Sequence, residues 1–433
     1  MSISFLQHNH ECNVTNLILW ILNLNGKIYF PHYSQIKKVG IEDNIIASFS
    51  HMRRVDDKFI DEIRNAGEDM STKYAFSEFF DEYDETTKLP KEGIPIGLQK
   101  CRDLGIPNVI LEVDLAHFPK DTNFKHKARC DLFKERFNWI KKNLSPESKI
   151  LINLRDLPVA VEKKTALAFK TIQFLAQYRP QIFAIITEEP SGKYFPEQLG
   201  MMTKSCVDLM RSHGFDGHFL VHIHEQWGLH NAGALECLAM GATGIWCAIP
   251  EEGAALGHAS SCLTIMNLIR LGNWKVQLKY KCTALRKAAA EITEIVSGKP
   301  AHPKQPVYGA RAVDQVFGLG GMGGDGSDFD LADFFGIEKT KRITTLASNK
   351  MIVDRLTRLF GEDPQFTEKM AKKMKEQMLE DYKNNMKEEY HSPVGLASLF
   401  DKAGGEKTPA MIEALAEVRY SFLSLSVKNL TFS

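Results

Sequence analysis

From about residue 100 onward, short runs of apolar and β-branched residues alternate with polar loops and amphipathic segments several turns long. This alternation is typical of parallel β–α–β units. The strands that it predicts most clearly are 108–115, 149–154, 182–187, 218–224 and 243–249. The helices that it predicts between and after them are 124–143, 162–177, 197–213, 229–240 and 258–271.

Upstream of residue 100 the pattern is weaker, with candidate strands at 27–30, 45–49 and 74–80. Added to the clear strands they make eight, so we predict an α/β protein built on a (β/α)8 TIM barrel. An apolar patch at 17–22 is too short to span a bilayer. We interpret this patch as a buried strand or as an arm packed on the barrel.

The barrel pattern ends near residue 272, and segments of different composition follow. They are an Ala- and Lys-rich helix at 275–297, a Pro-rich linker at 297–309, a flexible Gly-rich loop at 318–326 and a strongly helical Lys- and Glu-rich run at 369–390. We therefore expect an N-terminal arm at 1–26, the TIM-barrel catalytic domain at 27–275, a linker with a helix and the Gly-rich loop at 276–329, and a C-terminal α-helical region at 330–433.

Charge and cysteine content argue against several classes of protein. Lys plus Arg and Asp plus Glu each number 54, so no net charge attracts phosphate backbones or anionic lipid. The eight cysteines form no Cys-x-x-Cys pair, which favours buried thiols in a reducing compartment. No Lys or Arg precedes the apolar patch at 17–22, so it lacks a basic n-region and we expect no signal peptide. The sequence thus predicts a cytoplasmic protein that binds neither nucleic acid nor membrane.

Polar side chains gather at the carboxyl ends of the predicted strands, where barrel enzymes carry their chemistry. They are Asp114, Arg155, Asp156, Glu188, Glu189, His222 and His224. Because side chains alternate along a strand, His222 and His224 project from the same side and can ligate one divalent ion. Glu189 on the strand before and His258 after the next strand can add ligands, and a nitrogen-rich face favours zinc over manganese or magnesium.

Several segments resemble the metal-dependent pyruvate carboxyltransferase-like barrels, a family that includes isopropylmalate synthase, homocitrate synthase and hydroxymethylglutaryl-CoA lyase. Residues 221–243 (VHIHEQWGLHNAGALECLAMGAT) resemble the family's His-x-His strand and the helix after it. Residues 253–259 (GAALGHA) are similar in spacing to its Gly-Glu-Arg-Ala-Gly-Asn-Ala segment, which puts His258 at the position of a metal-ligating Asn. Residues 189–192 resemble its Asp-Thr-x-Gly, which puts Glu189 at an acidic active-site position. These motifs, and a similar linker at 296–309, occur in the family's order over roughly 100–310.

The chain also departs from the family. Members begin the barrel with an Asp-Arg-Glu-like or Arg-Asp-Gly segment, whose Asp ligates the metal and whose Arg stabilises an enolate oxygen. No such segment occurs before residue 100, and 51–56 (HMRRVD) has the residue types at the wrong spacing, so a helix start explains it better. The Glu-Arg of the glycine segment is replaced by Ala254 and Ala255. The chain is therefore identified as a divergent member.

The resemblance implies a divalent-metal-dependent enzyme that forms or cleaves a carbon–carbon bond, as an acyltransferase (synthase) or a lyase. Its substrate would be a 2-oxo acid or an acyl-CoA, reacting through a metal-bound enolate. The three histidines would hold the metal ion, and Glu189 or Asp156 would be a further ligand or the base, beside Arg155. Each residue has a structural alternative: Glu189 can cap the following helix, Arg155 and Asp156 can form a structural ion pair, and His258 can face solvent at a helix start.

Two other functions stay open at this stage. Loss of the Arg and Asp of the first strand favours a catalytically lapsed barrel that serves as a binding or regulatory protein. Retention of the metal with a different reaction favours a metal-dependent hydrolase. Family members commonly pair through helices beyond the barrel, so the C-terminal helices could form a homodimer.

Overall fold

A computed structural model of the chain describes residues 17–21, 29–49, 57–117, 124–179, 181–253, 256–313, 315–316, 331–337, 341–384, 390 and 392–416. The chain divides into two compact units. The barrel unit comprises Met1–Ala301 with Pro306–Tyr308, and the C-terminal unit comprises His302–Gln305 with Gly309–Ser433.

The barrel unit contains a closed barrel of parallel strands that are hydrogen-bonded in chain order. The strands are β1 (Leu17–Ile21), β2 (Asn44–Phe49), β3 (Lys73–Glu78), β4 (Asn108–Asp114), β5 (Ile150–Arg155), β6 (Ala184–Glu189), β7 (His218–Ile223) and β8 (Gly244–Cys247). Strand β1 pairs with both β2 and β8, which closes the ring. The predicted α/β class and (β/α)8 barrel are thereby confirmed.

Helices follow the strands around the barrel. They are α1 (Tyr29–Val39), α2 (Asp57–Asn65), α3 (Ile96–Asp103), α4 (His126–Asn143), α5 (Leu157–Gln177), α6 (Pro196–Ser212), α7 (His230–Ala239), α8 (Ser261–Arg270), α9 (Trp274–Lys279) and α10 (Cys282–Ser297). Among the residues that the structure describes, no helix combines the length and the apolar character needed to cross a membrane.

The beginning of the barrel differs from the sequence prediction. The strand predicted at 27–30 is wrong, because helix α1 begins at Tyr29. The first strand of the barrel is instead Leu17–Ile21, which agrees with the strand alternative for the apolar patch 17–22 and lies inside the stretch 1–26 predicted as an N-terminal arm. At the other end, helix α10 belongs to the barrel unit, although its residues fall in the range 276–329 predicted as a linker.

The interior of the barrel is filled by alternate residues of the strands. This inner cluster consists of Ile45, Tyr74, Phe76, Ile110, Leu151, Ala184, Ile186, Leu220 and Trp246. Since side chains two apart share a face, Glu112, Asn153, Glu188 and His222 continue the inward rows that Ile110, Leu151, Ile186 and Leu220 begin. Polar residues therefore line the inside of the barrel near the carboxyl ends of its strands.

The C-terminal unit is helical where the structure describes it, apart from the short pair of strands β9 (Gln315–Val316) and β10 (Lys341–Arg342). Its helices are α11 (Leu331–Phe335), α12 (Asn349–Phe360), α13 (Glu368–Lys383) and α14 (Pro393–Lys402), as the prediction of a C-terminal α-helical region requires. They bury an apolar core that includes Ile352, Met374 and Phe400. The Gly-rich loop predicted at 318–326 lies outside the described residues.

Candidate metal centre

Three histidine side chains meet at the carboxyl end of the barrel. His222 lies on β7, His224 follows that strand directly, and His258 lies on the loop after β8. One ring nitrogen of each lies within 4.8 Å of the corresponding atoms of the others. The three side chains are buried, with exposed fractions of 3%, 8% and 2%. The three residues predicted as metal ligands are thus brought together in one place.

His222 is held in the orientation that a metal ligand needs. Its Nδ1–H donates to the carbonyl oxygen of Trp246 over 3.0 Å, and its ring stacks on the Trp246 indole with centroids 4.0 Å apart. The hydrogen bond leaves the lone pair of Nε2 for an ion, as in many metal-binding histidines. Burial, together with neighbouring His224, holds the pKa of His222 well below its usual range, so the ring is neutral.

His258 provides the strongest test of whether these residues fit a metal ion. Both of its ring nitrogens are buried and have no hydrogen-bond partner among the described residues. A buried polar atom without a partner costs about 1–3 kcal/mol, so native proteins rarely leave two on one ring, and an ion held by the three histidines would take one of them. Burial lowers the pKa of His258, and the nearby imidazoles lower it further. Three imidazole nitrogen donors fit zinc or another late transition ion.

Two glycines shape the loop that carries His258. A Cβ on Gly253, whose φ is +139°, would lie 2.2 Å from Nδ1 of the His258 ring. A Cβ on Gly257, whose φ is +112°, would lie 1.6 Å from the carbonyl oxygen of Glu251. The N–H of Glu225 also donates to the carbonyl of Gly257 over 2.9 Å, which joins this loop to the one after β7. A residue with a side chain cannot replace either glycine without moving the loop.

Glu188 is the carboxylate next to the imidazoles. Its Oε1 lies 3.4 Å from Nε2 of His224, and its Oε2 accepts a hydrogen bond from the Asn153 amide over 2.5 Å. Although burial opposes ionisation, the contacts with His224 and Asn153 lower the pKa of Glu188. This carboxylate can therefore ligate an ion or accept a proton beside it.

Glu112 is a second carboxyl that faces the inside of the barrel, and its pKa is shifted in the opposite direction from that of Glu188. Burial raises its pKa to about 8, and the negative charge of Glu188 adds to the effect, while Arg155 opposes it. Arg155 donates to Glu112 Oε1 over 3.1 Å, and the Asn153 amide lies 3.4 Å from Oε2. Two neighbouring carboxyls with pKa values moved in opposite directions form the usual arrangement of a proton donor and a proton acceptor.

The residues predicted as catalytic lie in different places. Arg155 extends from the end of β5, half exposed, toward Glu112. Glu189 points to the side of β6 opposite Glu188, and its Oε1 accepts hydrogen bonds from the N–H and the hydroxyl of Ser191. Asp156 has a left-handed φ of +52° directly before α5, and its Oδ2 lies 3.7 Å from His117. Burial raises the pKa of Asp156.

Sequence reasoning missed several residues of this centre. Glu112 and Asn153 were not singled out, and Glu188 was considered only as a partner of Glu189. The sequence does contain a signal for these three residues: each lies two positions after an apolar strand residue whose side chain faces the inside of the barrel. The segment 51–56, discussed as a substitute for the missing first-strand motif, and the pair Ala254 and Ala255 lie outside the described residues.

Comparison with known proteins gives structural matches alone. No protein-family model and no curated protein sequence matches the chain. Hydroxymethylglutaryl-CoA lyase from Pseudomonas aeruginosa matches with a TM-score of 0.46 and 12% identity, over 66% of this chain and 94% of that one. The Bacillus subtilis hydroxymethylglutaryl-CoA lyase matches with a TM-score of 0.43 and 16% identity, over 66% and 95%. The carboxyl transferase domain of Rhizobium etli pyruvate carboxylase matches with a TM-score of 0.41 and 11% identity, over 64% and 49%.

These solved structures come from the same group of proteins that the sequence motifs resemble. Similarity at this level carries no argument about substrate or reaction. The function must therefore be argued from the side chains of the site itself.

Proposed function

We propose that this protein is a divalent-metal-dependent enzyme that cleaves or forms a carbon–carbon bond in a small carbonyl substrate. The observation that carries the proposal is the convergence of three buried imidazoles, with both ring nitrogens of His258 lacking a partner among the described residues. In this proposal His222, His224 and His258 hold the ion, with zinc favoured by the three nitrogen donors. A bound divalent ion supplies Lewis-acid polarisation of a substrate carbonyl oxygen.

The two inward carboxyls supply the proton transfers. In the cleavage direction, Glu188 accepts the proton of a substrate hydroxyl as the adjacent carbon–carbon bond breaks. The carbon that carried the hydroxyl becomes a carbonyl carbon. The electron pair of the broken bond passes to the other carbon, which lies next to a carbonyl group of the substrate, and Glu112 delivers a proton to that carbon. Glu112 suits this role because its pKa of about 8 keeps it protonated at neutral pH. In the synthetic direction the same protons move in reverse.

Arg155 gives the mouth of the barrel a fixed positive charge. Its guanidinium contacts Glu112 at 3.1 Å while about half of the side chain stays exposed to solvent. An exposed guanidinium at this place can bind the carboxylate of a 2-oxo acid or the acyl carbonyl oxygen of a thioester. We therefore infer a 2-oxo acid or an acyl-CoA as substrate class, with a lyase or synthase reaction.

A second function, metal-dependent hydrolysis, is favoured by the three-histidine donor set, which also occurs in hydrolytic zinc centres. Hydrolysis needs a base to activate water, and Glu188 could supply it. A carboxyl that stays protonated at neutral pH, as Glu112 does, suits the further step of protonating a carbon atom. The presence of both carboxyls therefore favours carbon–carbon chemistry.

Metal analysis tests the proposal first. Purified protein should contain about one equivalent of a divalent ion, as measured by inductively coupled plasma mass spectrometry. His222→Ala and His224→Ala should lose this ion. His218→Ala is a matched control, because His218 begins the same strand β7 and contacts Thr243 at 3.2 Å instead. Equal metal content in all variants would contradict the assignment of the ligands.

A substrate screen then separates the reactions. Release of a carbonyl product from 3-hydroxyacyl-CoA thioesters or from 4-hydroxy-2-oxo acids would support carbon–carbon cleavage. Hydrolysis of esters or amides without such release would support the hydrolase. A protein that binds the metal yet turns over neither class would point to a binding or regulatory role.

A further inference from the structure

A segment of three residues returns to the barrel unit after the chain has left it. Pro306–Tyr308 belongs to the barrel unit, whereas His302–Gln305 before it and Gly309–Ser433 after it belong to the C-terminal unit. The N–H of Tyr308 donates to the carbonyl of Pro306 over 2.8 Å, and Val307 between them has a φ of +68°. This is a γ-turn with a β-branched residue in the left-handed region, a conformation that strains the backbone.

Hydrogen bonds to other parts of the barrel unit hold this turn in place. The Nε–H of Arg286, on helix α10, donates to the carbonyl of Val307 over 3.1 Å. The hydroxyl of Tyr308 donates to Oε2 of Glu251 over 2.8 Å, and the Tyr308 side chain is 5% exposed. A strained backbone persists when its surroundings fix it, so the turn serves to place the Tyr308 hydroxyl against Glu251.

Glu251 begins the loop that supports His258. The carbonyl of Glu251 packs directly on Gly257, and the backbone of Gly253 packs on the His258 ring. The loop segment that Tyr308 binds is therefore the one that packs against the imidazole of His258.

The histidines differ in how their rings are oriented. A hydrogen bond to the carbonyl of Trp246 fixes the ring of His222. The ring of His258 has no hydrogen bond to any described residue, so packing alone sets its orientation. Any loosening of the loop behind it will therefore let the His258 ring turn away from the other two.

We propose that Tyr308 is a positioning residue for the metal centre: through Glu251 it holds the glycine loop that sets the His258 ring. This inference rests on the proposed function insofar as the three imidazoles bind a metal ion. It makes the segment after the barrel a part of the site, although it contributes no ligand.

Cobalt binding to the full-length protein tests the proposal. Tyr308→Phe removes the hydroxyl alone and should weaken Co(II) affinity roughly tenfold, the lower end of the effect of outer-shell partners, and should alter the visible Co(II) spectrum. Tyr33→Phe is the matched control, because the buried Tyr33 hydroxyl on α1 also donates to a carboxylate, that of Glu68, over 2.9 Å. The control should keep the wild-type Co(II) affinity and spectrum.

The acceptor of the hydrogen bond supplies a second pair of variants. Glu251→Gln keeps an oxygen that accepts from Tyr308 and should retain most of the Co(II) affinity. Glu251→Ala removes the acceptor and should match Tyr308→Phe, with no further loss when both changes are combined.

A readout without metal keeps this inference separate from the proposed function. In the presence of chelator, diethylpyrocarbonate should modify the His258 ring faster in Tyr308→Phe than in wild type or Tyr33→Phe, as followed by peptide mass spectrometry. If wild type binds no Co(II), the proposed function fails, and the reactivity of His258 still decides the role of Tyr308. Equal reactivity of His258 in both Tyr variants overturns the proposal whatever the Co(II) result.

Discussion

The raised pKa of Glu112 predicts an unusual pH dependence of stability. The folded protein holds this proton up to a pKa of about 8, whereas the unfolded chain releases it near the ordinary value of 4.5. Between these two values the folded state binds more protons than the unfolded state, so the free energy of unfolding must fall as the pH rises. The slope for one proton is about 1.4 kcal/mol per pH unit, and the full window corresponds to about 5 kcal/mol.

Glu112→Gln should remove this dependence. Glutamine has the shape of the protonated carboxyl and keeps an oxygen that can accept from Arg155. Wild type and variant should therefore be equally stable near pH 4.5, and the variant should become progressively more stable above it, by up to about 5 kcal/mol at pH 8. Glu147→Gln, at an exposed carboxyl, is the control and should leave the profile unchanged.

Urea unfolding in the presence of chelator measures the effect in the barrel unit. All five tryptophans, Trp20, Trp139, Trp227, Trp246 and Trp274, belong to that unit, so their fluorescence reports its unfolding alone. Parallel profiles of wild type and Glu112→Gln between pH 5 and 8 would refute the assignment of a protonated Glu112. A variant that is less stable than wild type at pH 8 would do the same.

Three further predictions concern other contacts. Gly253→Ala should lose most of the Co(II) affinity and lower the melting temperature, because the new Cβ would lie 2.2 Å from the ring of His258. Co(II) titration measures the affinity and calorimetry measures the melting temperature. A variant with wild-type affinity would contradict the packing argument. Trp246→Leu removes the aromatic surface on which the ring of His222 stacks and should weaken Co(II) binding, whereas Trp246→Phe should retain more of it. Asp381→Asn in the C-terminal unit weakens a buried hydrogen bond to the carboxylate and should destabilise that unit by about 1–3 kcal/mol, as followed by far-ultraviolet circular dichroism during urea unfolding; an unchanged midpoint would argue against it.

The sequence was sufficient to predict most of the barrel, since β-branched runs separated by polar loops determine where parallel strands form. The prediction failed at the first strand, where two short apolar runs follow one another and each fits a strand. A helical signal directly follows the second run, 27–30. Tyr33, Ile36 and Val39 recur at three-residue spacing, and all three are buried on α1.

The proximity of His222 and His224 could be predicted because residues two apart on a strand share a face whatever the exact strand boundaries. It was harder to predict from the sequence which carboxylates face the inside of the barrel. Glu188 and Glu189 are identical neighbours, and a shift of one residue in the assumed phase exchanges inward and outward positions. Counting from Ala184 and Ile186 points to Glu188, but the inward face of β6 is known only once the whole barrel is seen.

The proximity of the two inward carboxyls, Glu112 and Glu188, could not be predicted from local sequence. Glu112 and Asn153 lie on different strands, and their relation to Glu188 depends on the parallel register of β4, β5 and β6. That register brings Glu112 level with Asn153, and it sets the electrostatic environment that separates the two carboxyl pKa values.

The seam between β1 and β8 ties assembly of the carboxyl end of the barrel to almost the entire length of its chain. Leu17 pairs with Gly244 and Leu19 with Trp246, so the ring closes when the earliest strand meets the latest. Contacts between such distant parts of a chain form slowly during folding. Because the imidazole of His222 stacks on Trp246, a nascent chain brings its three histidines together late, after the final strand has emerged and returned to the first.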